Sequence, residues 1–413
     1  MRTPEAVAQA DVVVALTSWN DVGTIGTVAR AVREGADRTV GAGRVCFVLA
    51  DAGSTDGSRE LAREALGHDA CVDVSCAPGP PLAEPLYHGH PNRPGVVRGA
   101  MEAAQRLGAR ACAVLDASLD TVEPEWIERL VGPVLHDGFD YVSPHYHRRV
   151  GEGALTRGLV YPLFRALYGV RLHQPAGSEF GCSPRLIAQC LEQDFWEAER
   201  AGPGVDLWIS SAAACGDLRL CEASLGVRHA ACRGMVPDLG SQIAQVAGAL
   251  FDDLSHRAGD WQRVRGSTAV PLFGAPGDAR QAQTPPDADG LLAAFRLGQQ
   301  ELRDVWMFAL APKTLVEIRK LSGLPTGQFR FDDRLWATIV YDFAVGHHLR
   351  VIAPEHLLRS LTPLFSGWLA SFVLEMGDAD AAALDARVEQ LCEAFESEKR
   401  HLIARWRWPE RLR

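Results

Sequence analysis

With 413 residues, 47% hydrophobic and 23% charged, the chain has the profile of a folded protein rather than a disordered one, long enough for two or three domains. Its formal net charge of −10 excludes a global basic footprint for nucleic acid. Ten cysteines without zinc-type spacing, no apolar leader core and no apolar run of about 18 residues set the expectation of a reduced, cytoplasmic protein with no membrane span.

In chain order, DVVVAL (11–16) is a valine-rich run that predicts a strand, followed by the turn TSWND and the helical spacing of TIGTVARAVREGA. RVCFVLA (44–50) predicts a second strand, leading through DAGSTDGS into the helix SRELAREAL. RACAVLDAS (110–118) predicts a third strand, and EPEWIERLVGPVL a third helix with Pro124 in its first turn. Strands alternating with helices predict an α/β domain with a mainly parallel sheet. Ligands bind beyond the carboxyl ends of such strands, and TSWND, DAGSTDGS and DASLD all fall there. From residue 241 onward, segments such as SQIAQVAGALFDDL and DARVEQLCEAFESEKRHLIARW repeat apolar residues at helical spacing. The expected division is therefore an α/β domain over 1–238 and a mainly α-helical domain over 239–413, the latter a surface for homo-oligomerisation.

Within these loops, Gly53 permits a tight turn where backbone can approach a ligand, and Asp51 follows its strand directly. Asp116, Ser118 and Asp120 would share one face if their strand stayed extended, because side chains alternate with period two. His88 and His90 have metal-like spacing, but their Pro-rich loop favours exposed turn residues. The Trp406 and Trp408 tail favours packing on its own domain over a membrane surface.

The turn TSWNDVGTI (Thr17, Ser18, Asn20, Thr24, Ile25) and the loop DAGSTDG, with an Asp cluster at a third strand end, resemble the nucleotide-sugar half of a GT-A fold glycosyltransferase (Rossmann-like). The order DASLDTVEPEWI, SPHYHRRVGEGALT, LHQPAGSEFGCSPR, GPGVDLWISSAA, SLGVRHAA narrows the resemblance to the retaining mannosylglycerate synthase and glucosyl-3-phosphoglycerate synthase type, and the similarity extends into the helical tail. The resemblance implies hexose transfer from a UDP-glucose or GDP-mannose type donor to a small anionic hydroxy acceptor, glycerate-like in class, with Mg2+ or Mn2+. It implies donor contacts from Thr17, Ser18, Asn20, Asp51, Gly53, Arg93, Gly95 and Asp116. Metal ligands would come from Asp116, Ser118, Asp120 and His229. Glu179 would stand beside the donor sugar, Asp206 near the reacting centre, and Arg149 would grip the acceptor carboxylate.

Three positions depart from the family pattern. Ser118 replaces the second acid of D-x-D, with Asp120 as the candidate substitute. Val96 replaces the lysine of R-P-G-K-G, leaving Arg98 nearby, and Trp368 stands where an arginine is expected. Three readings stay open: activity with weakened metal dependence, a different donor or acceptor, or a catalytically silent nucleotide-sugar-binding partner. A nucleotidyltransferase would need a Gly-rich, lysine-bearing loop after the first strand, which TSWNDVGTIG lacks.

Overall fold

The computed structural model describes residues 9–41, 44–67, 71–76, 87, 91–148, 150, 152–197, 201–230, 238–274, 286–377 and 379–408. The chain forms two compact units: Met1–His147, Gln174–Pro237 and Ala269–Asp278 make one, and Arg148–His173, Asp238–Thr268 and Ala279–Arg413 the other. One passage between the units falls between residues 237 and 238. Of the two further excursions, 269–278 lies in a Pro/Gly/Asp-rich stretch (265–290), while 148–173 has no compositional mark in the sequence.

The first unit is built on an eight-stranded sheet. Its strands are β1 (Val12–Ser18), β2 (Val45–Asp51), β3 (Cys71–Ser75), β4 (Ala111–Asp116), β5 (Tyr141–Tyr146), β6 (Phe180–Cys182), β7 (Leu220–Gly226) and β8 (Leu272–Phe273). Their order is β8-β7-β5-β6-β4-β1-β2-β3. All neighbours are parallel except β6, which runs antiparallel to β4 and β5. The α/β class read from the sequence is what the structure has, with one reversed strand inside the sheet.

Helices α1 (Ile25–Thr39), α2 (Ser58–Leu66) and α4 (Glu125–Asp137) cover one face of the sheet, and α3 (Arg93–Arg106), α5 (Pro184–Leu191) and α6 (Ala201–Cys215) the other. Because both faces are covered, β1 is buried at every position, and its sequence is a continuous apolar run rather than an alternation. Val12, Val14 and Leu16 face the α1 and α4 side with Val28, Val32, Trp126 and Ile127. Fully burying a side chain of this kind contributes about 1.5–3 kcal/mol, so this layer anchors the strand ends that follow.

Register then does the positioning. Ser18 stands opposite Asp51 across β1 and β2, and Thr17 opposite Asp116 across β1 and β4. Polar residues 30 to 100 positions apart in sequence thus share one edge of the sheet.

The second unit is helical. Its longest helix, Ala381–Arg407, begins at Asp380, whose carboxylate accepts from the Ala383 N–H at 2.8 Å. Arg165, in the helix Tyr161–Tyr168, bonds Glu389 and Glu396 on that helix, seven residues and so two turns apart. Trp368 stacks on Trp336 and closes over Gly158, where a Cβ would meet its ring at 2.1 Å. A buried ring therefore occupies the position where an arginine was expected. Thr156 is the first residue of a π-helical turn, Thr156–Val160. One helical stretch among the described residues, Pro354–Met376, is long and apolar enough to cross a membrane, and 78% of its apolar window is buried. Burial at that level is how the core helix of a folded unit meets the same length and composition.

Candidate active site

Asp51 caps its own loop. Its Oδ1 accepts from the N–H groups of Gly53 (3.0 Å) and Ser54 (2.8 Å), and its Oδ2 from the hydroxyls of Ser18 (2.8 Å) and Ser54 (2.6 Å). A carboxylate has about four acceptor positions, and all are used, so the Asp51 oxygens shape the turn. Gly53 sits at φ 93°, a left-handed conformation that side chains resist.

The β1 and β2 loops are zipped together. Asn20 Oδ1 accepts from Thr55 N–H at 2.9 Å, the Asn20 N–H donates to Ser54 Oγ, and the Asp21 N–H donates to Ser58 Oγ. Asp56 accepts from the N–H groups of Val22 and Ser58. Burial opposes charge on Asp56, yet the Ser58 and backbone donors outweigh it and lower its pKa. Thr24 Oγ1 donates to the Ala117 carbonyl at 2.7 Å, which ties in the third loop.

Arg93 and Asp206 form a buried pair. Nε and Nη2 of Arg93 reach Asp206 Oδ1 at 3.2 and 2.8 Å, and Nε reaches Oδ2 at 3.1 Å. Nη1 donates to Thr17 Oγ1 and Nη2 to the Ser178 carbonyl. Here the structure departs from the expectation that Arg93 and Thr17 face the donor: the guanidinium is a strut joining β1, the loop before β6, and α6. Gly95 lies in the first turn of α3, its N–H on the Asn92 cap at 3.2 Å.

Glu179 is fully buried. Tyr146 donates to its Oε2 at 2.5 Å, Ser178 Oγ donates to Oε1, and Arg228 Nε lies 3.4 Å from Oε2. Arg228 also donates to Ser178 Oγ at 2.9 Å. Burial opposes its charge, but Glu179, then Tyr146 and Asp116, hold the guanidinium above its ordinary pKa.

The shared face expected of Asp116, Ser118 and Asp120 does not form. β4 ends at Asp116, whose Oδ1 accepts the Ser118 N–H at 2.9 Å, and this side-chain-to-backbone bond turns the chain. Leu119 then bridges antiparallel to Ala230, which runs the 228–230 segment past the turn. His229 Nδ1 thereby comes to 2.9 and 2.8 Å from the two Asp120 oxygens. Neighbours on an extended segment point to opposite sides: His229 goes outward to Asp120, Arg228 inward to Glu179. Ligands at adjacent corners of an octahedron with bonds of about 2.1 Å stand about 3 Å apart. The Asp120–His229 spacing fits two such positions, and the carboxylate is a ligand type that suits Mg2+ or Mn2+.

Arg149, His88 and His90 lie outside the described residues. Cys71 and Cys76 are both free thiols. Arg228, Tyr146 and Ser178 were missed from sequence; the one available signal was the position of Arg228 beside His229.

No protein-family profile matches the chain, and no curated protein does. Among solved structures, glucosyl-3-phosphoglycerate synthase from Mycobacterium tuberculosis with Mn2+, uridine diphosphate and glucosyl-3-phosphoglycerate aligns at 21% identity and TM-score 0.43, over 62% of this chain and 82% of that one. The same enzyme with Mn2+, UDP-glucose and phosphoglyceric acid aligns at 21% identity and TM-score 0.43, over 66% and 91%. A structure described as a mycobacterial protein aligns at 22% identity and TM-score 0.41, over 60% and 75%. Likeness at this level specifies neither reaction nor substrate for this chain, and the functional reading rests on its side chains.

Proposed function

We propose that this protein is a retaining GT-A type glycosyltransferase that moves a hexose from a nucleotide-sugar to a small anionic hydroxy acceptor. The observation that carries the reading is the pairing of Asp120 with His229 beside the inward Arg228, at the carboxyl end of β4. A departing nucleoside diphosphate needs positive charge held ready for it. Arg228 supplies a fixed guanidinium, and Asp120 with His229 would hold a divalent cation. Such an ion, when bound, stabilises the charge on the leaving diphosphate.

Glu179 and Asp206 are the carboxylates that the resemblance puts near the reacting centre, and neither is placed to attack carbon. Asp206 is clasped by Arg93, and both Glu179 oxygens accept from protein donors. This favours a front-face route without a protein nucleophile. The bond from the anomeric carbon to phosphate breaks, the bond to the acceptor oxygen forms on the same face, and the acceptor proton goes to the departing phosphate oxygen. The protein's part is positioning, which can supply several kcal/mol of the barrier. On this reading Asp51 serves the donor indirectly, by fixing backbone around Gly53.

Calorimetry with UDP and GDP, with and without Mn2+, followed by diphosphate release from UDP-glucose and GDP-mannose with glycerate or 3-phosphoglycerate, tests the proposal. If neither nucleotide binds and neither donor is consumed, it fails. Ser118, standing where the resemblance expects an acid, favours a second reading: nucleotide binding without turnover. Tight binding with no product, unchanged by Asp116→Ala, would select it.

A further inference from the structure

The helical unit contains a half-open cavity of about 990 Å³ whose lining includes Met307, Phe308, Val316 and Leu349. Those four are 52%, 58%, 51% and 44% exposed, half of the eight large apolar side chains that stand out to solvent among the described residues. Apolar exposure concentrated in one concavity marks a binding site more than scattered exposure does. The volume lies at the top of the range of about 300–1,000 Å³ usual for small-molecule sites.

The charge lining this cavity has one sign. Arg303, Arg319 and Arg405 border it, and no carboxylate does. Arg405 is 7% exposed, in the last turn of Ala381–Arg407. Its Nη2 donates to the Ala309 carbonyl at 2.8 Å, and its Nε lies 3.3 Å from Asp342 Oδ1. That approach is not a hydrogen bond, so Nε is a buried donor without a hydrogen-bond partner among the described residues. A buried donor without a partner is costly, and a charged hydrogen bond to a carboxylate is about twice as strong as a neutral one.

We propose that this cavity binds an amphipathic carboxylate: an acyl chain against Phe308, Val316 and Leu349, its head group on Arg405. The inference is independent of sugar transfer at the other site. An apolar wall alone would accept any oily ligand, whereas a nine-tenths-buried guanidinium at the wall selects a single anionic head.

Calorimetry on the full chain, with decanoate below its micelle concentration, tests it against butanoate and decan-1-ol. Decanoate should bind saturably, at least tenfold more tightly than either control, because one lacks the chain and the other the charge. Arg405→Met should weaken binding at least tenfold. Because that side chain is buried against Asp342, the exposed substitution Phe308→Asp gives a second arm with the same expected loss. Equal binding of decanoate and decan-1-ol, non-saturating heats, or decanoate binding indifferent to Phe308→Asp would overturn the proposal. So would a concentration-dependent dimer abolished by Phe308→Asp with no decanoate binding, which would make a second copy the occupant.

Discussion

Arg93 clasps Asp206 through two nitrogens, and both side chains are buried, at 0% and 1% exposed. Removing one partner of a buried pair strands the other charge, which costs about 3–5 kcal/mol. Arg93→Met and Asp206→Leu should each lower unfolding free energy by about that amount, and the double variant should recover much of it. Urea denaturation of the three variants measures this. A loss below about 1 kcal/mol in either single variant would show that the pair is not the strut described.

Arg228 is held by Glu179 and Ser178. Losing one preorganised donor to developing charge costs about 10²–10³ in kcat. Under the proposed function, Arg228→Met should lower turnover about 100-fold and weaken UDP binding, and it should also lower thermal stability, because it strands the buried Glu179 carboxylate. Turnover within a few-fold of the parent would remove Arg228 from the diphosphate.

Asp120 and His229 share one contact, so they should act as a unit toward a divalent ion. Asp120→Asn and His229→Gln should each raise the Mn2+ concentration for half-maximal activity about 10–100-fold. Ser118→Asp in the Asp120→Asn background should recover part of the loss. Identical Mn2+ titrations in all variants would exclude this pair as the ion's holder.

Lys399 donates to the carbonyls of Ala166, Leu167 and Val264, and burial, with Arg265 nearby, pushes its ammonium down from 10.5 to about 8. Below pH about 8 it is charged in both native and unfolded states, and the full penalty for burying the charge is present. Between about 8 and 10.5 the unfolded chain holds more protons, so this group's contribution to stability rises with pH. Relative to Lys399→Met, the parent should gain stability across that window, as followed by melting temperature. A parallel pH course for both proteins would contradict it.

Gly35 lets α1 approach α4, since a Cβ there would stand 2.1 Å from the Pro124 carbonyl oxygen. Backbone cannot yield as a flexible side chain can. Gly35→Ala should cost about 1–3 kcal/mol despite the better helix propensity of alanine. A neutral or stabilised variant would mean that the two helices part freely.

Much of the first unit was legible because its signals are local. The valine runs, the Gly–Asp loops and the helical periodicity of 25–39 and 58–66 each announce an element from adjacent residues. Five strands of the sheet went unread: Cys71–Ser75, Tyr141–Tyr146, Phe180–Cys182, Leu220–Gly226 and Leu272–Phe273. Phe180–Cys182 is three residues long, too short to show any period, and it becomes a strand only between β4 and β5. The segment 148–173 carries no composition shift, so its place in the helical unit was invisible.

The sequence by itself determined the alternation of strands and helices, and the presence of polar clusters after β1, β2 and β4. Those are consequences of periodicity and turn chemistry, which act over a few residues. Only the tertiary structure decided what each polar side chain does. Arg93 lies 113 positions from Asp206, and Asp120 lies 109 from His229. Sheet register and the Leu119–Ala230 bridge bring such groups together. Once burial removes water, each carboxylate must find its donors among whatever the fold supplies. That requirement committed Asp51 and Asp206 to internal hydrogen bonds, and left Asp120 and His229 paired at the surface.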